Sequence, residues 1–152
     1  MSSYYFAYGS NMNVQRMQAR GLSYTEVLAG SLPGFRLVFN KRAADAPQRS
    51  YANIAYEPGA VVEGVLYRLA DDVEILKMDP FEGTPRFYSR EIFPISTAAG
   101  YLPGWVYVAN PAMVSDGLQP ARWYLEHLLE GKSWLSPDYH ARLAQTPCAE
   151  GE

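Results

Sequence analysis

The residues best suited to chemistry come early in the chain. The run Tyr4-Tyr5-Phe6-Ala7-Tyr8-Gly9-Ser10-Asn11-Met12 is an aromatic strand that breaks into a Gly-Ser-Asn turn. Gly9 lacks a Cβ and can take positive φ, so the turn can aim successive backbone N–H groups at one point, a concave nest for a carboxylate or oxyanion. Taken alone, the same turn is an ordinary entry to a helix, because Gly, Ser and Asn are common turn formers. Ser10 as an acyl-enzyme nucleophile would need a base, and His127 and His140 lie far along the chain on helical segments, with no Gly-x-Ser-x-Gly elbow. Two histidines and one cysteine show no metal-ligand spacing, and phosphate-loop and dinucleotide motifs are missing, so neither a metal nor a cofactor is expected.

A second segment gives the turn its meaning. Asp79-Pro80-Phe81-Glu82-Gly83 is followed by Tyr88, and later come Pro120-Ala121-Arg122-Trp123-Tyr124, Gly131 and Leu135-Ser136-Pro137-Asp138-Tyr139. Glu82-Gly83 by itself reads as a solvated loop, since Glu is usually exposed. In this order behind the N-terminal run, the segments resemble the γ-glutamylcyclotransferase family of the AIG2-like superfamily, from Tyr4 to about Tyr139. The resemblance implies a substrate whose own α-amine attacks its γ-carbonyl, closing 5-oxoproline and expelling an amine, without an enzyme nucleophile. Glu82 matches the family's catalytic Glu and would shuttle the protons. Tyr5, Phe6, Ala7, Tyr8, Gly9 and Ser10 would hold the glutamyl group, and Tyr88 and Tyr124 would line the site, although a core position on an amphipathic helix explains Tyr124 equally well.

An apolar setting made by Phe81, Phe87 and Tyr88 would lift Glu82 from a reference pKa near ~4.3 toward the ~6–7 useful for proton transfer. The Gly-Ser-Asn form resembles the enzymes acting on γ-glutamyl amino acids more than the glutathione-specific branch, where Gly-Ser-Leu is usual, or the γ-glutamylamine branch, where Gly-Thr is usual. Pro85, between Glu82 and Tyr88, departs from the family pattern and stiffens the loop. The rival from another class is a non-catalytic module that binds a γ-glutamyl or acidic ligand. Glu82 argues against it, because a carboxylate beside an anion nest repels such a ligand unless it accepts the ligand's ammonium or takes its proton.

Composition bounds the partners. The 152 residues suit one domain, read as residues 1–145 followed by a tail over 146–152. A formal charge of −3 with singly scattered basic residues gives no face for neutralising phosphates, so nucleic acid is not an expected partner. There is no basic region followed by an apolar run at the N-terminus, and no apolar stretch approaches the ~20 residues of a membrane span. The expectation is a cytoplasmic protein, monomer or homodimer, whose partner is a small-molecule γ-glutamyl substrate. Cys148 lies in the polar tail with no partner in the chain and no sign of activation. The twelve tyrosines suit pleated, half-buried β surfaces better than a dedicated pocket, though some can serve both.

The elements that must position these residues read as follows. Tyr4–Tyr8 is a strand, and Asn11 or Asn13 caps a short helix running to about Ala19 before Gly21. Thr25–Leu32 and Phe35–Lys41 form a hairpin hinged at Pro33-Gly34, residues 42–50 form a mobile loop whose Arg42 and Arg49 could grip a substrate carboxylate but are read as solvated, and 51–56 and 60–69 pair around Glu57-Pro58-Gly59. The strand over 60–69 is apolar on both faces and belongs deep in a covered sheet. Asp71 or Asp72 caps a helix to Met78 with Val73 and Leu76 inward, and Pro80 then leaves Glu82 on a loop. Strands over 88–95 and 105–109 precede a helix opened by Pro120 with Ala121, Tyr124, Leu125, Leu128 and Leu129 on one face, and a last helix carries Tyr139 and Leu143 inward. The fold class is α+β, a small, mostly antiparallel β-barrel flanked by short helices.

Overall fold

The computed structural model describes residues 3–149. Among the described residues, six strands run in the order β1 (Ser3–Ala7), β2 (Tyr24–Ala43), β3 (Ala46–Leu69), β4 (Tyr88–Thr97), β5 (Gly100–Ala109) and β6 (Gln119–Pro120). Four helices, α1 (Val14–Ala19), α2 (Asp79–Glu82), α3 (Arg122–Leu129) and α4 (Pro137–Ala144), fill the connections. The sheet order is β1-β5-β4-β2-β3-β6, and a further β1–β3 pairing closes the first five strands into a barrel with β6 outside it. Most neighbours are antiparallel, while β1–β5 and β3–β6 are parallel.

β1 lies between β3 and β5, so both its edges are paired, and Tyr5, Phe6, Ala7 and Tyr8 are all buried, so the run is covered on both faces and needs no polar alternation. Phe6, Leu66, Val65, Ile95 and Val106 fill the barrel, each contributing about 1.5–3 kcal/mol on leaving water. Tyr67 is fully buried as well, and its hydroxyl is satisfied by donating to the Asn11 carbonyl at 2.6 Å.

Two expected turns are not turns. β2 and β3 run unbroken through Pro33-Gly34 and Pro58-Gly59, and the register passes from Pro33↔Val61 to Phe35↔Tyr56, so the two turn dipeptides face each other across one irregular bend of the ladder. Each signal marks a local break in the pairing, and a bulge satisfies that as well as a hairpin does. The true hairpin tip is Ala44-Asp45, so most of the stretch 42–50 is paired strand rather than loop. Arg42 is correspondingly fixed, donating to the Ala112 and Val114 carbonyls and the Ser115 hydroxyl at 2.6, 2.9 and 2.8 Å.

The segment before the second motif also differs. Asp71 caps as expected, its Oδ1 accepting from Val73 and Glu74 N–H at 3.0 Å. The turn over Glu74–Lys77 is a 3₁₀ turn, which changes the phase, so Ile75 and Met78 point inward while Val73 and Leu76 are exposed. Pro80 does not end a helix; it occupies the first turn of α2, where its missing N–H costs nothing, and Glu82 is the last residue of that helix. Gly83 then takes φ +64°, the left-handed cap that stops α2, at a point where a Cβ would collide with the Phe87 ring.

α1 is capped by Asn13, which accepts from Gln15 N–H at 3.1 Å. α3 and α4 keep the expected faces, with Tyr124, Leu125, Leu128, Tyr139 and Leu143 buried. After Gln145 the chain turns back, with Ala149 N–H donating to the Pro120 carbonyl at 2.9 Å; residues 150–152 of the expected tail lie outside the described residues.

Candidate active site

The N-terminal turn is built by a dense set of bonds rather than by a special backbone conformation. Gly9 has φ −112°, not the expected positive value, and caps the 3₁₀ turn Ser10–Met12, with its carbonyl accepting from Met12 N–H at 3.0 Å. What requires glycine is space, because a Cβ would lie 3.1 Å from the Tyr124 hydroxyl and 3.4 Å from Ala52 Cβ. Among the described residues, the Gly9 and Ser10 N–H groups meet no acceptor. Asn11 fastens the loop: its amide donates to the Tyr5 hydroxyl at 2.9 Å and to Met78 Sδ at 3.4 Å, and its Oδ1 accepts from Arg20 at 3.1 Å.

Met78 precedes α2, and its carbonyl accepts from Glu82 N–H at 3.2 Å, so Asn11 ties the turn to the helix that carries the carboxylate. A second anchor holds the same end of α2. Asp79 makes a two-pronged pair with Arg90 at 2.8 and 3.1 Å and accepts from the Tyr107 hydroxyl at 2.6 Å. Desolvation raises the Asp79 pKa, but those donors outweigh it and leave the group below the usual carboxylate range.

Turn and helix meet at a cavity of about 300 Å³. Of the residues singled out in the sequence, Tyr5, Phe6, Tyr8, Gly9, Ser10, Glu82, Tyr88 and Tyr124 line it. Ala7 does not; it is buried in β1 opposite Val65. Half of the twelve tyrosines, namely Tyr5, Tyr8, Tyr51, Tyr88, Tyr107 and Tyr124, face this one space, so the pocket claims more of them than composition suggested.

Glu82 keeps part of its surface open to the cavity, and its carboxylate has no hydrogen-bond partner among the described residues. Desolvation among these rings raises its pKa from 4.5 to about 7, against the opposing pull of Arg20, Arg16 and Lys41 and with a small push from Asp79. Phe87 and Tyr88 stand on the wall as expected, while Phe81 is half-exposed under the Arg20 guanidinium at 4.7 Å.

The two site tyrosines are both engaged by Ala52. Tyr88 donates its hydroxyl proton to the Ala52 carbonyl at 2.7 Å, and Tyr124 accepts from the Ala52 N–H at 3.0 Å. Tyr88 can therefore only accept from a ligand, whereas Tyr124 retains a proton to donate. Tyr8 is also spent, donating to the Tyr107 carbonyl at 2.5 Å.

Three cations went unforeseen. Arg16 and Arg20 are four residues apart on and just after α1, one face of a turn that opens directly behind the Gly-Ser-Asn loop, and that spacing was readable. Lys41 was not readable. Between Val38↔Asn53 and Lys41↔Tyr51 an extra residue sits in β2, and this bulge resets the alternation so that Lys41 shares the face of Tyr51. The serine-nucleophile alternative finds no base, since Ser10 Oγ accepts from Arg16 at 3.2 Å while His127 and His140 bond Asn13 and the Leu129 carbonyl.

A closed five-strand barrel whose N-terminal loop and α2 share a carboxylate-bearing cavity defines the class of protein. Residues 5–135 match the family described as Gamma-glutamyl cyclotransferase, AIG2-like, and the chain belongs to that family. No curated protein matches it significantly. Among solved structures, a gamma-glutamyl cyclotransferase is similar at 21% identity and a TM-score of 0.84, covering 99% of this chain and 90% of that one. An uncharacterized protein from Homo sapiens gives 21% and 0.85, covering 99% and 91%. A gamma glutamyl cyclotransferase specific to glutathione from yeast gives 13% and 0.67, covering 93% of each chain. At these identities the likeness is one of fold. No helix among the described residues is long and apolar enough to cross a membrane.

Proposed function

We propose that this protein is a cyclotransferase acting on γ-glutamyl amides, releasing 5-oxoproline and a free amine, with Glu82 as the proton shuttle. The observation that carries the reading is the unpartnered Glu82 carboxylate, held near neutrality in its proton affinity and sharing one cavity with the Gly9 bend. Glu82 takes a proton from the substrate α-ammonium, and the freed amine bonds to the γ-carbonyl carbon. As the tetrahedral adduct collapses, the bond to the leaving nitrogen breaks. The remaining extra proton on the attacking nitrogen and the one held by Glu82 both end on the expelled nitrogen, which departs as an ammonium.

The other groups have complementary duties. Tyr124 O–H and the Gly9 and Ser10 N–H groups supply donors for the glutamyl carboxylate and the developing oxyanion. Tyr88, its own proton committed to Ala52, offers lone pairs to the ammonium. The binding-module alternative has less use for a desolvated carboxylate of raised basicity, which opposes an acidic ligand unless it accepts the ligand's ammonium or takes its proton. Incubation of the purified protein with γ-glutamyl amino acids and amides, with 5-oxoproline quantified, tests the reading; 5-oxoproline formation is expected, and binding without product would favour the module.

A further inference from the structure

The cavity holds more positive charge than the glutamyl half of a substrate requires. Arg16, Arg20 and Lys41 all line it, against the one carboxylate of Glu82. The two arginines, on and just after α1, bond to the N-terminal loop, Arg16 to Ser10 Oγ at 3.2 Å and Arg20 to Asn11 Oδ1 at 3.1 Å. They therefore stand where a glutamyl α-carboxylate would meet the Gly9 bend.

Lys41 is different in kind. It is 5% exposed, it comes from β2 rather than the N-terminal loop, and among the described residues its ammonium has neither a hydrogen bond nor an ion pair. It meets rings instead, at 4.5 Å from the Phe87 centroid, 5.5 Å from Tyr51 and 5.8 Å from Tyr88. A desolvated ammonium is costly unless paired, and aromatic faces offset only part of that cost. The bulge that turns this side chain inward is a deliberate local irregularity of the ladder, of the sort that re-aims a side chain at a site. An anion brought by the substrate would complete the pair, and the glutamyl carboxylate is already provided for by the loop and the two arginines.

Resting on the cyclotransferase reading above, we infer that Lys41 binds a carboxylate on the leaving amine, so that the preferred substrates are γ-glutamyl amides of amino acids rather than of simple amines. The ammonium presents three donors on a flexible stem, which suits a carboxylate that must be gripped before the reaction and released with the departing amino acid. Lys41 is in this account a specificity determinant and takes no part in bond making.

The test compares kcat/KM for γ-glutamyl-alanine and γ-glutamyl-ethylamide, which differ in the carboxylate, in the parent, Lys41→Met and Lys41→Arg. The parent should favour the alanine compound. Measured at a pH above the Glu82 limb, where a change in its proton affinity does not limit the rate, Lys41→Met should lose roughly 10- to 100-fold on the alanine compound and less than about threefold on the ethylamide, and Lys41→Arg should recover most of the loss. Equal losses on both substrates would assign Lys41 to the glutamyl half or to the fold and overturn the inference. A parent indifferent to the carboxylate would overturn it without any variant, which covers the case of a misfolded Lys41→Met. Absence of 5-oxoproline from both substrates is a separate result that removes the cyclotransferase reading and this inference with it.

Discussion

Tyr88 and Tyr124 grip the two polar groups of a single peptide residue, one donating to the Ala52 carbonyl and the other accepting from its N–H. The shared anchor fixes which phenol can give a proton to a ligand and which can only receive one. Tyr124→Phe should therefore lower kcat by roughly 100-fold, in the range for removal of one oxyanion donor. Tyr88→Phe should act mainly on KM by removing an acceptor for the ammonium. Steady-state kinetics of the two variants with one γ-glutamyl amino acid checks the split, and identical profiles would contradict it.

With Glu82 as the proposed proton shuttle, its proton affinity should set the pH dependence of the rate. The base must be ionised, so kcat/KM should fall below about pH 7. Arg20 is the strongest of the cations that favour the ionised form, and Arg20→Gln removes it, so the acidic limb should move to higher pH. A pH–rate profile reads this directly, and a limb that stays still or moves down would be inconsistent with the assignment.

The same group should make stability depend on pH with the opposite sign to an ion-paired carboxylate. Folded Glu82 holds its proton up to about pH 7 and the unfolded chain only to about 4.5, so between those values the native state binds more protons. Stability from this group is full below the unfolded value and is lost as pH rises through the folded one, by roughly 3 kcal/mol in total. Glu82→Gln should abolish that decline. Urea unfolding of parent and variant at pH 5 and pH 8 should show the gap between them moving toward the variant at the higher pH.

Asp79 positions α2 without facing the substrate. Asp79→Asn keeps the shape but weakens the pair with Arg90 and the bond from Tyr107, and should cost about 1.5–3 kcal/mol of stability. Because α2 carries Glu82, kcat should fall while KM for a γ-glutamyl amino acid changes little, and a kcat equal to the parent's would separate Asp79 from the positioning of the base.

The two motifs, the barrel and the aromatic neighbours of Glu82 were legible because each rests on local chemistry, such as an aromatic strand ending at glycine or an acid close in the chain to Phe81, Phe87 and Tyr88. What escaped the sequence depends on register. Pro33-Gly34 and Pro58-Gly59 carry turn chemistry that long strands absorb as a common bend, and only the pairing partner shows which outcome applies. Lys41 is charged and sits in a strand, so its default place is outside; a single inserted residue in β2 reverses that. Glu82 fell on α2 rather than a loop because Pro80 opens a helix as readily as it closes one. Ala7 was carried along with its neighbours, but its short side chain is buried in β1 opposite Val65 and does not reach the cavity.

The most direct measurement is 5-oxoproline release from a γ-glutamyl amino acid by the parent and by Glu82→Gln, with folding of both confirmed by circular dichroism. The account predicts turnover by the parent and a loss of at least ~100-fold in the variant, with substrate still bound. A Glu82→Gln protein that forms 5-oxoproline at the parent rate would contradict it.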